Sequence, residues 1–323
     1  MRLPELDAGQ TVWVGAAGTG TAFGLIRSVR KRWGDKVRIV AADTNPAHLV
    51  AATTLADAFV KVPPIADPAF IKVLAAEFAR SGPVTYVPIL DAEILLAAEL
   101  AAEGRLPRAV ALIAPPVASA RICLDKLAAA RWLQASGLPS PSTALPGEVD
   151  WRGEPLFAKP RRGLGSVGVR LLSTASELRS LGASEDMVVQ ALCSGPEVTL
   201  DVFRSRDGSL NRAICRERLE VKAGVCTKAR VFEDATLSAL ATRVAAGLGL
   251  VGTFCMQVMR HREEWSITDI NPRPGAGTSM TVAAGIDVHC AMLADSWGLD
   301  ARELLPPLSR ELFVVRQYVE LLT

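Results

Sequence analysis

The sequence predicts an α/β domain with a parallel sheet, followed by an α+β part in which antiparallel strands dominate. Apolar strand patterns alternate with helical patterns over the first third, whereas after Pro115 and Pro116 strand patterns follow one another with few helices between them. The chain has 323 residues, of which 50% are hydrophobic, so it has enough apolar side chains for two or three packed domains. This composition excludes a disordered or fibrous protein.

The N-terminal elements are indicated by short apolar runs that end in glycine or aspartate. Strand patterns cover residues 11–14, 37–42, 84–90 and 109–114, and a helical pattern follows each of the first three. Because these strands are apolar throughout instead of alternating with polar residues, we expect a parallel sheet with helices on both faces.

The elements after Pro116 have a different order. One continuous helix is predicted over residues 118–136, and further helices over 235–248 and 279–297, the last with an interruption at Gly285. Strand patterns cover residues 156–160, 167–172, 187–192, 197–204, 212–220, 225–232, 252–259 and 265–270. Strands in direct succession are typical of antiparallel sheets.

Charge and composition narrow the class of protein. Lys and Arg number 36 against 34 Asp and Glu, and aromatic residues make up 5% of the chain, so neither a phosphate-tracking surface nor a base-stacking platform is indicated and no nucleic-acid partner is expected. The N-terminus has no signal-peptide core and the apolar runs are too short to cross a membrane. Six widely spaced cysteines are typical of reduced thiols, so we expect a cytoplasmic protein.

A glycine cluster follows the first strand and precedes the first helix. Gly18 and Gly20 begin a dinucleotide fingerprint, but Gly24 comes one residue too late to complete it, while Asp43 occupies the position of a ribose-binding acid. A nicotinamide-dependent enzyme is one interpretation. The other is that a tight turn between strand and helix needs glycines whatever it binds.

A second glycine-rich segment has the composition of a phosphate-binding loop. A strand leads to Lys159, and glycines 163, 165 and 168 with Ser166 connect it to the next strand. Glycines allow backbone N–H groups to turn toward a polyanion, and lysine adds a positive charge. No helix follows, so the segment is not a P-loop, and an ordinary glycine-rich hairpin is the alternative.

A set of oxygen ligands is predicted about a hundred residues later. Asp269 and Asn271 are two apart on a strand, so their side chains share a face, and Gln257 on the preceding strand is a third candidate. Oxygen ligands of this kind suit Mg²⁺, with Mn²⁺ as the alternative ion. Arg273, just beyond, is placed to pair with a phosphoryl group.

Together with these motifs, segments along nearly the whole chain resemble the ATP-grasp superfamily, and within it one half of the large subunit of carbamoyl phosphate synthetase. The resemblance includes Asp43-Thr-Asn-Pro, Asp91-Ala-Glu93, Asp125-Lys126, the loop around Lys159, Gly195-Pro-Glu197, Arg216-Glu-Arg218 and Asp269-Ile-Asn-Pro-Arg-Pro-Gly. It implies a pre-ATP-grasp α/β domain over residues 1–115, an N-terminal lobe with the lid loop over 116–192, and a C-terminal lobe with the metal site over 193–323.

The resemblance also implies a role for each matching residue. The residues implied to bind ATP are Lys126, Lys159, Gly163, Gly165, Ser166, Gly168, Gln190, Ala191, Leu192, Glu197 and Lys228. Gln257, Asp269 and Asn271 would hold Mg²⁺, and Arg273, Lys159 and Arg218 would act in catalysis. Asp91, Glu93 and Arg216 are further candidates for the substrate pocket.

The resemblance implies an ATP-dependent ligase that joins a carboxylate to an amine, or to a thiol, through an acyl phosphate. Its partners would be small-molecule acids and amines, and a homodimer is left open. The family usually has glutamate where this chain has Asp269, whose shorter side chain puts the bridging of two ions in doubt. A non-catalytic ATP-binding subunit or sensor is therefore the alternative.

Overall fold

A five-stranded parallel sheet forms the N-terminal part of the protein, whose computed structural model describes residues 9–163, 168–222, 224–261 and 263–323. Its strands are β1 (Gln10–Val14), β2 (Val37–Asp43), β3 (Ala58–Lys61), β4 (Val84–Val87) and β5 (Val110–Leu112), in the order β3-β2-β1-β4-β5. The helices of this part are α1 (Gly20–Trp33), α2 (Ala69–Ser81) and α3 (Asp91–Ala102). All strand pairs are parallel, as predicted.

The glycine turn after β1 is held by Asp43 at the end of the neighbouring strand. Gly18 N donates to Asp43 Oδ2 at 2.7 Å, and Asn45 N donates to Asp43 Oδ1 at 2.9 Å. Thr19 then caps α1 by accepting a hydrogen bond from Ala22 N. The buried carboxylate of Asp43 is thus used by the backbone of the turn.

Two helices, not one, connect this sheet to the rest of the chain. They are α4 (Val117–Cys123) and α5 (Lys126–Ala135), so the prediction of a continuous helix over residues 118–136 was wrong. Asp125 interrupts the run because its carboxylate caps α5, accepting from Leu127 N and Ala128 N, and pairs with Arg161 at 2.8 Å. Such a cap requires a non-helical backbone at Asp125.

A small antiparallel sheet follows. Its strands are β6 (Thr143–Ala144), β7 (Leu156–Pro160), β8 (Arg170–Leu172) and β9 (Met187–Ala191), in the order β6-β9-β7-β8, with α6 (Ala175–Ser180) on one face. Ala158 and Val189 pack with Leu178 of this helix. Because β7 is paired on both sides, the position of Lys159 in the sheet is fixed.

A six-stranded antiparallel sheet forms the C-terminal part and contains the largest core. Its strands are β10 (Glu197–Arg204), β11 (Asn211–Lys222), β12 (Val225–Phe232), β13 (Gly252–His261), β14 (Glu264–Asn271) and β15 (Leu312–Val315), in the order β14-β13-β10-β11-β12-β15. The helices are α7 (Ala235–Gly247), α8 (Thr278–Ala283) and α9 (Val288–Ser296). The antiparallel prediction is confirmed. The gap between α8 and α9 contains Gly285, whose φ of +99° suits glycine.

A bulge in β14 sets the direction of its side chains. Gln257 pairs with Asp269, but the next residue, Val258, pairs with Ile267, so Thr268 is the extra residue. The bulge lets Ile267 and Ile270, three residues apart, both enter the same core. Asp269 is consequently left on the opposite face.

Candidate active site

A cavity of about 540 Å³ is lined by residues from all three sheets and their connections. The predicted site residues that line it are Lys126, Lys159, Gly163, Gln190, Ala191, Leu192, Glu197, Arg218, Gln257, Asp269, Asn271 and Arg273. A further wall comes from the N-terminal part, through Thr19, Thr21, Ile89 and Leu90. The lining residues Thr19 and Gly277 are 258 positions apart in the sequence, so the structure brings together distant parts of the chain.

The predicted metal ligands lie side by side on β13 and β14. Gln257 and Asp269 are direct cross-strand partners, and Asn271 Nδ2 donates to Asp269 Oδ2 at 3.1 Å. The hydrogen bond orients the amide, and no donor from the described residues contacts the Asn271 carbonyl oxygen. One carboxylate and two amide oxygens fit a hard cation that completes its shell with water and phosphate oxygens. Among the described residues, no group of three or more His, Cys, Asp and Glu forms a metal site.

Lys159 lies in the cavity wall next to Asp269. Its ammonium donates to the backbone carbonyl of Thr268 at 2.9 Å, at the bulge next to Asp269. Burial lowers the pKa of Lys159, and the nearby carboxylate of Asp269 partly opposes that effect. A buried ammonium bound to a carbonyl is well suited to a polyanion. Lys126, which donates to Gly163 O at 3.1 Å, adds a second cation to the same wall.

The strand β9 and the residues after it line the side of the cavity predicted to bind the nucleoside. The Gln190 side chain donates to Thr143 Oγ1 at 2.8 Å and is therefore directed toward β6. Ala191 N donates to Ser142 O at 3.0 Å, and Leu192 O lies 3.1 Å from His261 Nδ1. Glu197 forms an ion pair with Arg218, and Arg218 also donates to Gly224 O at 3.0 Å. The two side chains orient each other on the wall of the cavity.

Arg273, in the C-terminal part of the chain, contacts the N-terminal domain at the site. Its Nε lies 3.1 Å from Asp91 Oδ1, at the first residue of α3, and its Nη1 donates to Pro274 O at 3.1 Å. Asp91 thus orients the guanidinium from the N-terminal domain. The sequence contains a signal for this carboxylate, since an acid directly after an apolar strand lies at the carboxyl edge of a parallel sheet.

Some predicted residues lie elsewhere. Lys228 is exposed on β12, outside the cavity lining, and its ammonium pairs with Glu220 at 3.0 Å. Gly168, whose φ is +76°, also lies outside the lining and faces Pro160. Gly165 and Ser166 lie outside the described residues.

Glu93 is part of the N-terminal core and not of the cavity wall. It is 2% exposed, and its carboxyl accepts hydrogen bonds from Tyr86 Oη at 2.8 Å and Ile89 N at 3.3 Å. Burial raises its pKa to about 7, although the hydrogen bonds oppose the rise. The carboxyl occupies the space beside Gly15, where a Cβ would lie 1.9 Å from Glu93 Oε1. Gly15 is therefore required by packing.

Sequence reasoning missed the wall that the N-terminal domain supplies. Thr19 and Thr21 belong to the glycine turn and the start of α1, and only the assembled structure brings them to the cavity. Thr199 was missed as well. It lies between Gln257 and Arg216 in the register of the six-stranded sheet. Its position on a strand next to Gln257 was the available signal.

Comparison with known proteins agrees with this architecture. A sequence model described as the ATP-grasp domain matches residues 123–277. The structure of N5-carboxyaminoimidazole synthetase from Staphylococcus aureus, complexed with ADP, superposes with a TM-score of 0.78 at 16% identity, covering 97% of this chain and 83% of that one. No helix in the described ranges is long and apolar enough to span a membrane.

Two other solved structures have the same fold. L-amino acid ligase from Bacillus licheniformis has a TM-score of 0.70 at 16% identity, covering 92% of this chain and 76% of that one. Biotin carboxylase from Campylobacter jejuni, in a complex with an ATP analogue, has a TM-score of 0.71 at 16% identity, with coverages of 94% and 74%. At these identities the similarity establishes the fold. The family match places an ATP-grasp domain at residues 123–277, and the fold of the chain is that of these three enzymes.

Proposed function

We propose that the protein is an ATP-dependent carboxylate–amine ligase that forms C–N bonds through an acyl phosphate and releases ADP and phosphate. The observation that carries the proposal is the cavity in which Lys159, Arg273 and the Asp269–Asn271 pair line one wall. These groups combine the cationic side chains of Lys159 and Arg273 with oxygen ligands for a metal ion. The structural neighbours include a synthetase complexed with ADP and an L-amino acid ligase.

The residues of this chain suit ATP with Mg²⁺. Lys126 and Lys159 would hold phosphates, the backbone after Gln190 would contact the base, and Glu197 would bind ribose hydroxyls. Gln257, Asp269 and Asn271 would hold Mg²⁺, which supplies neutralisation of phosphate charge. We further propose that the chain divides into an N-terminal α/β domain over residues 1–115, an N-terminal lobe over 116–192 and a C-terminal lobe over 193–323.

The chemistry requires positioning and charge neutralisation from the protein. An oxygen of the substrate carboxylate attacks the terminal phosphoryl group, the bond to the bridging oxygen breaks, and ADP leaves. The amine then attacks the acyl carbon, phosphate leaves, and the amine gives up a proton. Lys159 and Arg273 offset the charge that builds up on the transferred phosphoryl group.

The deciding experiment measures ADP and phosphate release in the presence of Mg²⁺ with acids and amines offered singly and in pairs. The expected result is release of both products only when an acid and an amine are present together. AMP and pyrophosphate as products would contradict the acyl-phosphate scheme. ATP binding without any release across the panel would favour a non-catalytic ATP-binding protein, a function compatible with a metal site that has a single carboxylate.

Variants of the cavity test the assigned residues. Lys159→Ala and Asn271→Ala should lower kcat/KM by a factor of about 100 or more, because each removes charge or orientation needed at the phosphoryl group. Lys72→Ala, on the exposed side of α2, is the matched lysine control and should retain full activity. Unchanged turnover in Lys159→Ala would remove that residue from the site.

A further inference from the structure

A second cationic position lies in the cavity, away from the metal residues. Arg216 lines the cavity but is only 2% exposed, and its Nε lies 3.2 Å from the buried carboxylate of Asp201. Among the described residues, the structure records no acceptor for its Nη1 and Nη2. The two terminal nitrogens of a buried guanidinium are thus available to a ligand in the cavity, and these are the atoms that bind carboxylate or phosphate in a bidentate manner.

The guanidinium of Arg216 is held in place by Asp201 and by Gly277. Asp201 is fully buried and also accepts hydrogen bonds from Thr278 Oγ1 at 2.7 Å and Thr281 Oγ1 at 2.5 Å, so its position is set by α8. Gly277 lies directly against the guanidinium, because a Cβ at this position would be 2.3 Å from Nη1. Only glycine leaves room there. A guanidinium oriented by buried partners is preorganised for a ligand.

The surroundings of Arg216 add positive charge. Burial and the charge of Arg216 both lower the pKa of Arg316, whose guanidinium donates to Ala276 O at 2.6 Å. Helix α1, which contributes Thr21 to the cavity, packs against α8, which directly follows the same loop, since Gly24 lies against Ser279. The N-terminus of a helix favours anions. Arg316 and this helix end therefore attract negative charge to the position that Arg216 lines.

The register of the sheet separates this position from the metal residues. Asn271, Cys255 and Asp201 are successive cross-strand partners, so Asp201 lies two strands from Asn271, and Arg216, on β11, lies one strand beyond Asp201. Two strand spacings amount to roughly 10 Å. We therefore expect the carboxylate that reacts beside Asn271 and Arg273 to be a different group from the anion beside Arg216.

We propose, on the basis of the ligase function proposed above, that the acid substrate carries a second anionic group and that Arg216 binds this group beside Gly277. The substrate is thus a dicarboxylate or an acid with a phosphate. Its reacting carboxylate lies near Arg273, and its other anion is bound by the terminal nitrogens of Arg216. Monocarboxylic acids of the same size leave the terminal nitrogens of Arg216 without an acceptor and bind weakly.

Calorimetric binding to the full chain tests this without turnover. The probes are succinate, L-aspartate, L-glutamate and O-phospho-L-serine, each compared with its counterpart lacking the second anion: succinamate, L-asparagine, L-glutamine and L-serine. At least one dianionic probe should bind 10-fold or more tightly than its counterpart. The phosphoserine arm distinguishes a phosphate from a carboxylate. If no dianionic probe shows this preference, the proposal is overturned.

Two variants assign the preference to Arg216. Arg216→Lys removes the planar pair of donors while keeping the charge beside Asp201, and Gly277→Ala displaces the guanidinium without changing it. Each should weaken the dianion at least 10-fold and leave its counterpart and ATP unaffected. A purely structural role of Arg216 would weaken all ligands alike, and that outcome would contradict the proposal. Arg310→Lys and Gly147→Ala are the matched controls, since Arg310 is exposed and a Cβ at Gly147 has ordinary contacts.

Turnover separates this inference from the ligase proposal. Arg216-dependent binding of a dianion without ADP release from any acid–amine pair would leave the inference intact and contradict the ligase function. Ligation of monocarboxylic acids as efficiently as their dianionic counterparts would support the ligase function and overturn the inference.

Discussion

Two buried carboxyl groups, Glu93 in the N-terminal domain and Asp201 in the C-terminal sheet, are stabilised in opposite ways. Glu93 accepts hydrogen bonds from neutral donors, Tyr86 and the backbone of Ile89, and burial raises its pKa to about 7. Asp201 faces Arg216. Burial lowers the pKa of Arg216. The charge of Asp201 and its hydrogen bond to Arg216 together raise the pKa by a larger amount, so the pKa lies above its ordinary value.

The difference shows how similar side chains at similar burial take different roles. Glu93 fills space beneath the glycine turn and has no access to the cavity. Asp201 supports a cation that reaches the cavity. The partner, not the depth of burial, determines whether a buried acid belongs to the core or to the site.

The largest effect is expected where the buried ion pair is broken. Arg216→Met should lower the free energy of unfolding by about 3–5 kcal/mol, because it leaves Asp201 charged and unpaired in the core. Urea titration measures this. Adding Asp201→Asn removes the unpaired charge, so the double variant should lose less than the sum of the two single variants. A midpoint equal to that of the wild type would show that the pair does not stabilise the fold.

The next effect concerns pH and is specific to Glu93. Its folded-state pKa of about 7 lies above the ordinary value of 4.5, so the folded protein binds the extra proton between these two pH values. The contribution of Glu93 to stability is therefore present below pH 4.5 and is lost as the pH rises through 7, by up to about 3 kcal/mol.

The control for this pH dependence is Glu93→Gln, which keeps the shape and removes the ionisation. The difference between the wild type and this variant, measured by urea titration at several pH values, should change across the interval from 4.5 to 7. A difference that is constant with pH would mean that Glu93 is ionised throughout, like an acid paired with a cation.

A smaller effect is expected where Glu93 meets the glycine turn. Gly15→Ala should destabilise the protein by about 1–3 kcal/mol, since its Cβ would lie 1.9 Å from Glu93 Oε1. Gly20→Ala is the control, because no atom lies within 4 Å of a Cβ there. Thermal unfolding of both variants provides the comparison, and equal losses of stability would indicate that the Glu93 carboxyl moves aside freely.

The smallest effect is expected when the hydrogen bond from Tyr86 to Glu93 is removed. Tyr86→Phe removes the hydrogen bond to Glu93 and should cost about 1 kcal/mol. The hydrogen bond lowers the pKa of Glu93, so the pKa should rise further in the variant. Urea titration across the same pH range detects both changes. An unchanged pH dependence would show that Tyr86 does not influence the ionisation of this acid.

The sequence predicted that Asp269 and Asn271 share a face, but not the local geometry that presents them. Strand alternation put Asp269 and Asn271 on one face, and the structure has them hydrogen bonded there. The bulge at Thr268 was not predictable, because no residue type marks it. The carbonyl that accepts from Lys159 belongs to this bulge and is invisible in a pattern of side chains.

Glu93 and Lys228 illustrate a different limit. Both were placed in or near the cleft by resemblance, whereas the structure buries the first and exposes the second. The direction of Lys228 depends on the irregular register between β11 and β12, where the pairing shifts near Glu220. The burial of the Glu93 side chain depends on its contacts with Tyr86 and Gly15, which lie on other elements. Such choices depend on tertiary neighbours that a single sequence does not identify.

Because the N-terminal domain lines part of the cavity, a truncated chain that lacks this domain would lack part of the site. A fragment limited to residues 123–277, the part that matches the ATP-grasp domain, would keep the lysines and the metal residues. It would lose Thr19, Thr21 and the carboxylate of Asp91 that orients Arg273. Excision would remove the N-terminal wall of the cavity and leave Arg273 without its ion-pair partner. The N-terminal domain is thus a component of the site as much as a neighbour of it.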